Sequence, residues 1–190
     1  MKKVLVLLAE GFEILEALSV VDVCIRAGIK CDTCGIASNE VKSSHGIRII
    51  ADKVFNEGDL LSYDAIVLPG GMPGATNLRD DIRVLELVRE YNSSGKIIAA
   101  VCAAPIVLAE AGIVSGKKIT SYPGFNEQLG NCIYIKDKTV VVDENIITSR
   151  GPGTSLVFAL EIIKQLGYEK EAVEIKEGMM INFFLEHSNN

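Results

Sequence analysis

Hydrophobic residues along the chain form short continuous runs, and segments with helical spacing separate these runs. Runs that are apolar at nearly every position are typical of parallel strands covered on both faces. The sequence predicts such strands at residues 3–9, 29–36, 64–68 and 97–101. It predicts helices at residues 13–27, 80–92, 104–111 and 153–166. Strand and helix therefore alternate, which predicts an α/β sandwich with a mainly parallel central sheet.

Three short segments do not fit this alternation, and they predict hairpins or edge strands at residues 47–51, 139–143 and 146–149. A length of 190 residues is sufficient to bury one substantial core, so we expect a single domain over residues 1–190. The tail from Glu186 onward is expected to be frayed.

The first predicted helix carries more apolar surface than one sheet can cover. Ile14, Ala17, Leu18, Val21 and Ile25 share one face, and further apolar residues flank them. A helix that is apolar on most sides must be buried on most sides. We expect a homodimer formed through this helix, and the alternative is coverage by residues 179–185.

Cys102 lies where the predicted strand 97–101 passes directly into a helix, as in a nucleophile elbow. That sharp turn needs small residues two positions to either side, and Ala100 and Ala104 meet the requirement. A helix amino terminus favours the thiolate over the thiol, which predicts a reactive cysteine. The alternative is that Cys102 is a small buried hydrophobic residue.

Gly70 and Gly71 follow the strand 64–68, whose carboxyl end is expected at the same sheet edge as Cys102. Consecutive glycines allow the backbone to approach a substrate closely. The N–H groups of Gly71 and Ala103 are therefore candidates for an oxyanion hole, and Gly70 is a candidate for substrate binding. The alternative is an ordinary tight turn.

Glu16 is a carboxylate one turn into the otherwise apolar first helix. The helix amino terminus favours its anion by about 0.3 to 1 kcal/mol. Burial beside a thiolate raises a carboxyl pKa by several units, and each unit corresponds to about 1.4 kcal/mol. The effect of burial should therefore exceed that of the helix amino terminus. We predict a protonated Glu16 that donates a hydrogen bond to the Cys102 sulfur. The alternative is a solvated carboxylate on an exposed strip.

Composition and charge exclude several classes of protein. The 19 Lys and Arg residues are scattered among 25 Asp and Glu residues, and the net charge of -6 argues against a nucleic-acid partner. The apolar run at residues 3–9 is too short for a signal peptide, and no apolar stretch is long enough to span a membrane, so we expect a cytoplasmic protein. Five cysteines, an odd number, favour free thiols in a reducing compartment.

The remaining cysteines offer little further chemistry. Cys31 and Cys34 imitate a redox C-x-x-C motif, but residues three apart in a strand point to opposite faces. Cys24 is expected to pack in the first helix, and Cys132 at a loop or strand edge. No ligand set for a metal is evident, and Gly151-Pro-Gly153 lacks the lysine of a P-loop, so no metal or cofactor is expected.

Several motifs, taken together, give the chain a family resemblance. It resembles the ThiJ/PfpI family, and within it the subgroup of the Parkinsonism-associated redox protein and deglycase. The motifs are Glu13-Ile-Leu-Glu16 with Val21-Asp-Val23, Arg26-Ala-Gly-Ile29, Val67-Leu-Pro-Gly-Gly71, Ile98-Ala-Ala-Val-Cys-Ala103 and Thr148-Ser-Arg-Gly-Pro-Gly-Thr154. The resemblance implies a flavodoxin-like, class I glutamine amidotransferase-like three-layer sandwich and a homodimer.

The resemblance also implies roles for the site residues. Cys102 would be the nucleophile and an oxidation-prone thiol, Glu16 its protonated partner, and Gly71 and Ala103 the backbone donors. Two positions depart from the family pattern. Tyr122 stands where the family often has a histidine, and His45 lies near a position where relatives often have an arginine at the pocket rim.

Tyr122 and His45 are candidates for substrate binding, and a solvated loop residue is the alternative for His45. Peptidase and amidotransferase activities need a histidine to shuttle the proton, so the sequence argues against both. The family resemblance implies a cofactor-free enzyme acting on a small carbonyl substrate, such as the dicarbonyl methylglyoxal or its adducts with amines and thiols. The alternative is an oxidative-stress sensor or chaperone whose Cys102 is oxidised to sulfinate.

Overall fold

The computed structural model describes residues 1–187. The strands are β1 (Lys3–Leu8), β2 (Lys30–Gly35), β3 (Glu40–Lys42), β4 (Arg48–Ile50), β5 (Lys53–Val54), β6 (Ala65–Leu68), β7 (Ile97–Val101), β8 (Lys118–Ile119), β9 (Ile133–Tyr134), β10 (Val140–Asp143) and β11 (Ile146–Ser149). The helices are α1 (Ile14–Arg26), α2 (Gly74–Arg79), α3 (Ile82–Ser93), α4 (Pro105–Glu110), α5 (Ser155–Gln165), α6 (Glu169–Gly178) and α7 (Ile181–His187).

A seven-stranded central sheet has the order β10-β11-β7-β6-β1-β2-β5. Its pairs are parallel, except that β10 runs antiparallel to β11 at one edge. Two separate two-stranded sheets, β3-β4 and β8-β9, lie outside it. The predicted α/β sandwich with a mainly parallel sheet is confirmed.

Helices cover both faces of the central sheet, because successive side chains of each strand point to opposite faces. Leu5 and Leu7 of β1 pack into a cluster that contains residues of α2, α3 and α4. Val4, Val6 and Leu8 pack into a second cluster that contains residues of α1, α5 and α6. The predicted three-layer arrangement is therefore confirmed.

The predicted strands and helices agree with the structure to within a few residues, and the short segments form hairpins. β3 pairs antiparallel with β4, and β10 pairs antiparallel with β11. Helix α5, predicted from Gly153, starts at Ser155, because a single 3₁₀ turn over Pro152–Thr154 precedes it.

The sequence did not predict helices α2, α6 and α7. Glu186, predicted to begin a frayed tail, lies in α7, and residues 188–190 lie outside the described chain.

Helix α1 is covered by the sheet and by α5, but not on all sides. Ala17, Val20 and Val23 are buried in the α5-side cluster. Leu15 and Ile25 remain 57% and 62% exposed. The alternative cover, residues 179–185, leaves its own apolar side chains Phe183, Phe184 and Leu185 exposed. The part of the chain that the structure describes therefore leaves an apolar strip of α1 uncovered.

The cysteines outside the predicted site lie where the pattern places them. Cys31 packs on the α1 side of the sheet and Cys34 on the opposite side, which confirms that they cannot act as a C-x-x-C dithiol. Cys24 is buried in α1, and Cys132 is partly exposed next to β9.

Candidate functional site

The candidate site lies where three neighbouring parallel strands end. β7, β6 and β1 are adjacent in the sheet, and their carboxyl ends lead into Cys102, the Gly70-Gly71 pair and the segment before α1. Loops at the carboxyl edge of a parallel sheet converge in this way and commonly form binding sites. The topology therefore brings together residues that are far apart in the sequence.

Cys102 occupies a sharp turn between β7 and α4. Its φ angle is +64°, in the left-handed region that non-glycine residues rarely adopt. The Cys102 N–H donates to the Ser149 carbonyl at 3.1 Å, and its carbonyl accepts from the Tyr122 N–H at 2.8 Å. Both bonds hold the strained backbone in place while the thiol stays partly exposed. This is the local geometry of a nucleophile elbow.

Glu16 is fully buried on the first turn of α1. The Gly70 N–H donates to its Oε2 atom at 2.7 Å. A β-carbon added to Gly70 would lie 2.9 Å from this Oε2 and 2.7 Å from the Cys102 β-carbon. The carboxyl of Glu16 and the side chain of Cys102 therefore flank Gly70 at close range. Oε1 of Glu16 has no hydrogen-bond partner among the described residues.

The surroundings of Glu16 favour its protonated form. Burial raises the pKa of its carboxyl to about 7, against the lowering effect of the hydrogen bonds from Gly70 and Cys102, and the negative charge of Glu13 raises it further. Burial thus dominates, in the direction predicted from the sequence. A carboxyl that keeps its proton has a donor to offer a neighbouring sulfur.

The pKa of Cys102 moves in the direction opposite to that predicted from a helix amino terminus. Burial raises the pKa of the thiol to about 12, and the charge of Glu16 and the hydrogen bond to it act in the same direction. Helix α4 begins at Pro105, three residues beyond the sulfur, and is six residues long. Desolvation therefore exceeds the stabilisation that this short helix provides, and an ionised Glu16 disfavours the thiolate further.

The backbone N–H groups of Gly71 and Ala103 lower the pKa of the Cys102 thiol and so oppose the effect of burial. Gly71 has a φ angle of +83°, and a β-carbon there would lie 2.5 Å from the Glu13 nitrogen. Only glycine fits this position, because any side chain would collide with the segment before α1. Both groups thus act on the Cys102 thiol, and their role as an oxyanion hole stays a prediction.

The two predicted rim residues, Tyr122 and His45, lie on different sides of the site. The Tyr122 backbone bonds to Cys102, whereas its ring, 47% exposed, lies against Gly151. His45 is at the tip of the β3-β4 hairpin, and its Nδ1 lies 3.6 Å from Oε2 of Glu13. Substrate binding by either side chain stays a prediction.

Glu13 is a site residue that the sequence did not single out for a role. It is 8% exposed, and its side chain accepts from the Leu15 N–H as the amino-terminal cap of α1. Its own N–H donates to the Gly70 carbonyl at 2.9 Å. The spacing Glu13-x-x-Glu16 was a usable signal, because residues three apart on one helical turn lie on the same side.

The comparisons with known proteins identify the family. The profile of the DJ-1/PfpI family matches residues 2–165. This chain belongs to the DJ-1/PfpI family. Among curated relatives, protein dj-1beta of Drosophila melanogaster is 42% identical over 184 residues, covering 96% of this chain and 98% of that protein. The Parkinson disease protein 7 homolog of Danio rerio is 36% identical and covers 95% of this chain and 97% of that protein.

Solved structures of DJ-1 proteins have the same fold as this family member. The crystal structure of Drosophila melanogaster DJ-1beta superposes with a TM-score of 0.88 at 41% identity, covering 94% of this chain and 97% of that one. Oxidized DJ-1 of Toxoplasma gondii superposes with a TM-score of 0.87 at 34% identity, covering 95% and 98%. The ThiJ/PfpI resemblance and the fold it implied are confirmed.

The described residues of this DJ-1/PfpI family member form neither a metal-binding cluster nor a membrane-spanning helix. Within residues 1–187, no cluster of three or more His, Cys, Asp or Glu side chains is arranged to hold a metal ion. No helix in the same part of the chain has the length and apolar character needed to cross a membrane.

Proposed function

We propose that this chain is a cofactor-free cysteine enzyme that acts on reactive dicarbonyls or on their adducts with amines and thiols. Cys102 is the nucleophile, and Glu16 is the proton donor and acceptor. The observation that supports the proposal is that a buried carboxyl with a raised pKa and a partly exposed thiol flank Gly70. A carboxyl whose pKa is near neutrality is suited to proton transfer in both directions.

In the proposed reaction, the Cys102 thiolate attacks the aldehyde carbon of methylglyoxal. A carbon–sulfur bond forms, the carbonyl electron pair moves to oxygen, and the N–H groups of Gly71 and Ala103 stabilise the oxyanion. Protonation of that oxygen gives a hemithioacetal. Glu16 then moves a proton from the first carbon to the second, so that the adduct becomes the thioester of a 2-hydroxy acid. One water molecule hydrolyses the thioester, which releases lactate and restores the thiol.

Lactate release from methylglyoxal tests this proposal. We expect Cys102→Ser to abolish release and Glu16→Gln to lower kcat by about 10²- to 10⁴-fold, the range for loss of general acid–base catalysis. Cys132→Ser is the matched control, because this thiol is also partly exposed but lies outside the site, and it should retain full activity. Equal lactate release by wild type and Cys102→Ser would contradict the proposal.

A second candidate function is an oxidative-stress sensor or chaperone in which Cys102 is oxidised to sulfinate. Two observations favour it: the oxidized state of the Toxoplasma gondii relative, and the backbone donors of Gly71 and Ala103, which would also bind sulfinate oxygens. Here peroxide supplies both oxygen atoms, one per two-electron oxidation of the sulfur, and is reduced to water.

The two functions separate in one pair of assays. Titration with hydrogen peroxide followed by peptide mass spectrometry measures the uptake of two oxygens at Cys102 against the other four thiols. Selective uptake together with no lactate release supports the sensor, whereas turnover before oxidation supports the enzyme. Either function suits the cytoplasm, where free thiols stay reduced, and neither requires a membrane or nucleic-acid partner.

A further inference from the structure

Gly70 connects Glu13 to Glu16 at the start of α1. The Gly70 carbonyl accepts from the Glu13 N–H at 2.9 Å, and the Gly70 N–H donates to Oε2 of Glu16 at 2.7 Å. Both carboxyls are buried, and they project from the same first turn of the helix. Because both side chains are buried, little water is present to screen the charge of Glu13 at Glu16.

The tip of the β3-β4 hairpin contacts the other side of the Glu13 carboxyl. Ser44 Oγ donates to Oε2 of Glu13 at 3.3 Å, and Nδ1 of His45 lies 3.6 Å from the same oxygen. Ser44 Oγ and His45 Nδ1 are 3.1 Å apart. The Ser44 N–H also donates to the Phe12 carbonyl at 2.9 Å, which fixes the tip against the segment before α1.

The charge of Glu13 acts on Glu16, and His45 in turn lies against Glu13. The ionisable groups that face Glu16 are Cys102 on the β7 side and Glu13 on its own helix, and the charge of Glu13 raises the pKa of Glu16. His45 faces Glu13 from the hairpin, with its imidazole 72% exposed. A protonated imidazole carries a positive charge, which would oppose the negative charge of Glu13.

We propose that Glu13 is a positioning residue that keeps the proton on Glu16, and that His45 reduces this effect whenever its imidazole is protonated. The inference rests on the proposed roles of Glu16 and Cys102, and it adds a means by which pH outside the site controls the thiol. Glu13 does not need to contact the substrate for this role. Its carboxylate and the imidazole act on Glu16 with opposite signs.

The test is the pH profile of Cys102 alkylation by iodoacetamide, quantified for the Cys102 peptide by mass spectrometry between pH 5 and 9. When Glu16 loses its proton it raises the thiol pKa, so the wild-type profile should change slope near pH 7, and Glu16→Gln should remove that change. We expect Glu13→Gln to move the inflection down by about half a pH unit or more. His45→Gln should move it up, because the offsetting positive charge is lost.

A double variant and a control make the result decisive. In the Glu13→Gln background, His45→Gln should have a smaller effect, because the imidazole no longer has a carboxylate at Glu13 to hold it in place. Glu10→Gln removes a nearby exposed carboxylate that bonds the Lys42 N–H on the same hairpin, and should leave the inflection in place. Shifts of the two single variants in the same direction, or a His45→Gln shift that is as large without Glu13 as with it, would overturn the proposal.

His45 is exposed, so His45→Gln tests the proposal even where Glu13→Gln destabilises the fold. An unshifted inflection in this variant contradicts the role of His45. Alkylation requires no turnover, so the outcome is independent of lactate release. A wild type that releases no lactate but shows the opposite shifts would contradict the proposed enzyme and support this inference.

Discussion

At Gly70 the chain passes between the Cys102 side chain and the Glu16 carboxyl with no space for a β-carbon. An added β-carbon would also lie 3.0 Å from the Ala103 nitrogen, so all three neighbours would have to move. The backbone of Gly70 needs no left-handed conformation, so the requirement for glycine there is steric. This distinguishes Gly70 from Gly71, whose positive φ angle independently favours glycine.

Gly70→Ala should therefore damage the site more than the fold. We expect a loss of about 1 to 3 kcal/mol in the free energy of unfolding, typical of overpacking, because the methyl group separates Glu16 from Cys102. The inflection in the Cys102 alkylation profile should shift or disappear. Gly178→Ala is the control, since nothing lies near its added β-carbon. A Gly70→Ala variant with wild-type stability and alkylation would show that the three groups are not in contact.

At the scale of elements, helix α1 connects the site to the surface of the molecule. Its first turn supplies Glu16, and α5 covers the face that contains Ala17 and Val20. Leu15 and Ile25 remain exposed on the described chain, and exposed apolar strips of this kind are typical of interfaces. We propose that a second copy of the chain covers this strip, as the sequence pattern predicted.

Charge on the strip of α1 should separate such a dimer. We expect wild-type protein to sediment as a dimer and the Leu15→Glu, Ile25→Glu double variant as a monomer, because the interface would bury two unpaired charges from each subunit. Ile82→Glu is the matched control: Ile82 is 58% exposed on α3 and should leave the dimer intact. Sedimentation velocity distinguishes these outcomes, and a wild type that is monomeric at all concentrations would contradict the proposal.

For the whole molecule, burying Glu16 makes stability depend on pH. The pKa of this carboxyl is raised from 4.5 to about 7 on folding, so the folded state binds the proton more tightly than the unfolded state. Its contribution is fully present below pH 4.5 and is lost as the pH rises through 7. Carboxyls with lowered pKa values, such as those of Asp32, Asp64 and Asp81, act in the opposite direction and at lower pH.

The free energy of unfolding should consequently fall by about 3 kcal/mol between pH 4.5 and 7.5, at about 1.4 kcal/mol for each unit of pKa shift. Glu16→Gln should flatten this dependence, because its amide does not titrate. Glu90→Gln, at an exposed carboxyl, is the control and should preserve it. Denaturant titrations at several pH values measure the effect, and an equal slope in wild type and Glu16→Gln would show that Glu16 is ionised throughout.

Much of the fold follows from local patterns in the sequence. Continuous apolar runs predicted β1, β2, β6 and β7, because a strand buried on both faces is apolar at nearly every position. The helices α6 and α7 were missed: α6 has only two buried residues, Ala172 and Ile175, and α7 has only Ile181, so their apolar periodicity is weak. The positions of Cys102 at a strand-helix turn and of Glu16 inside an apolar helix were predictable, because both follow from local sequence patterns.

Other features of the site depend on contacts between distant segments. Local sequence predicted a lowered pKa for Cys102, but the pKa is raised, since desolvation depends on how β1, β6 and β7 lie together. Glu13 and His45 are 32 positions apart and meet only because the β3-β4 hairpin folds back over the start of α1. Backbone periodicity and steric needs act over a few residues and can be read from the chain. Burial and electrostatic coupling are properties of the assembled packing, and they set the protonation of this site.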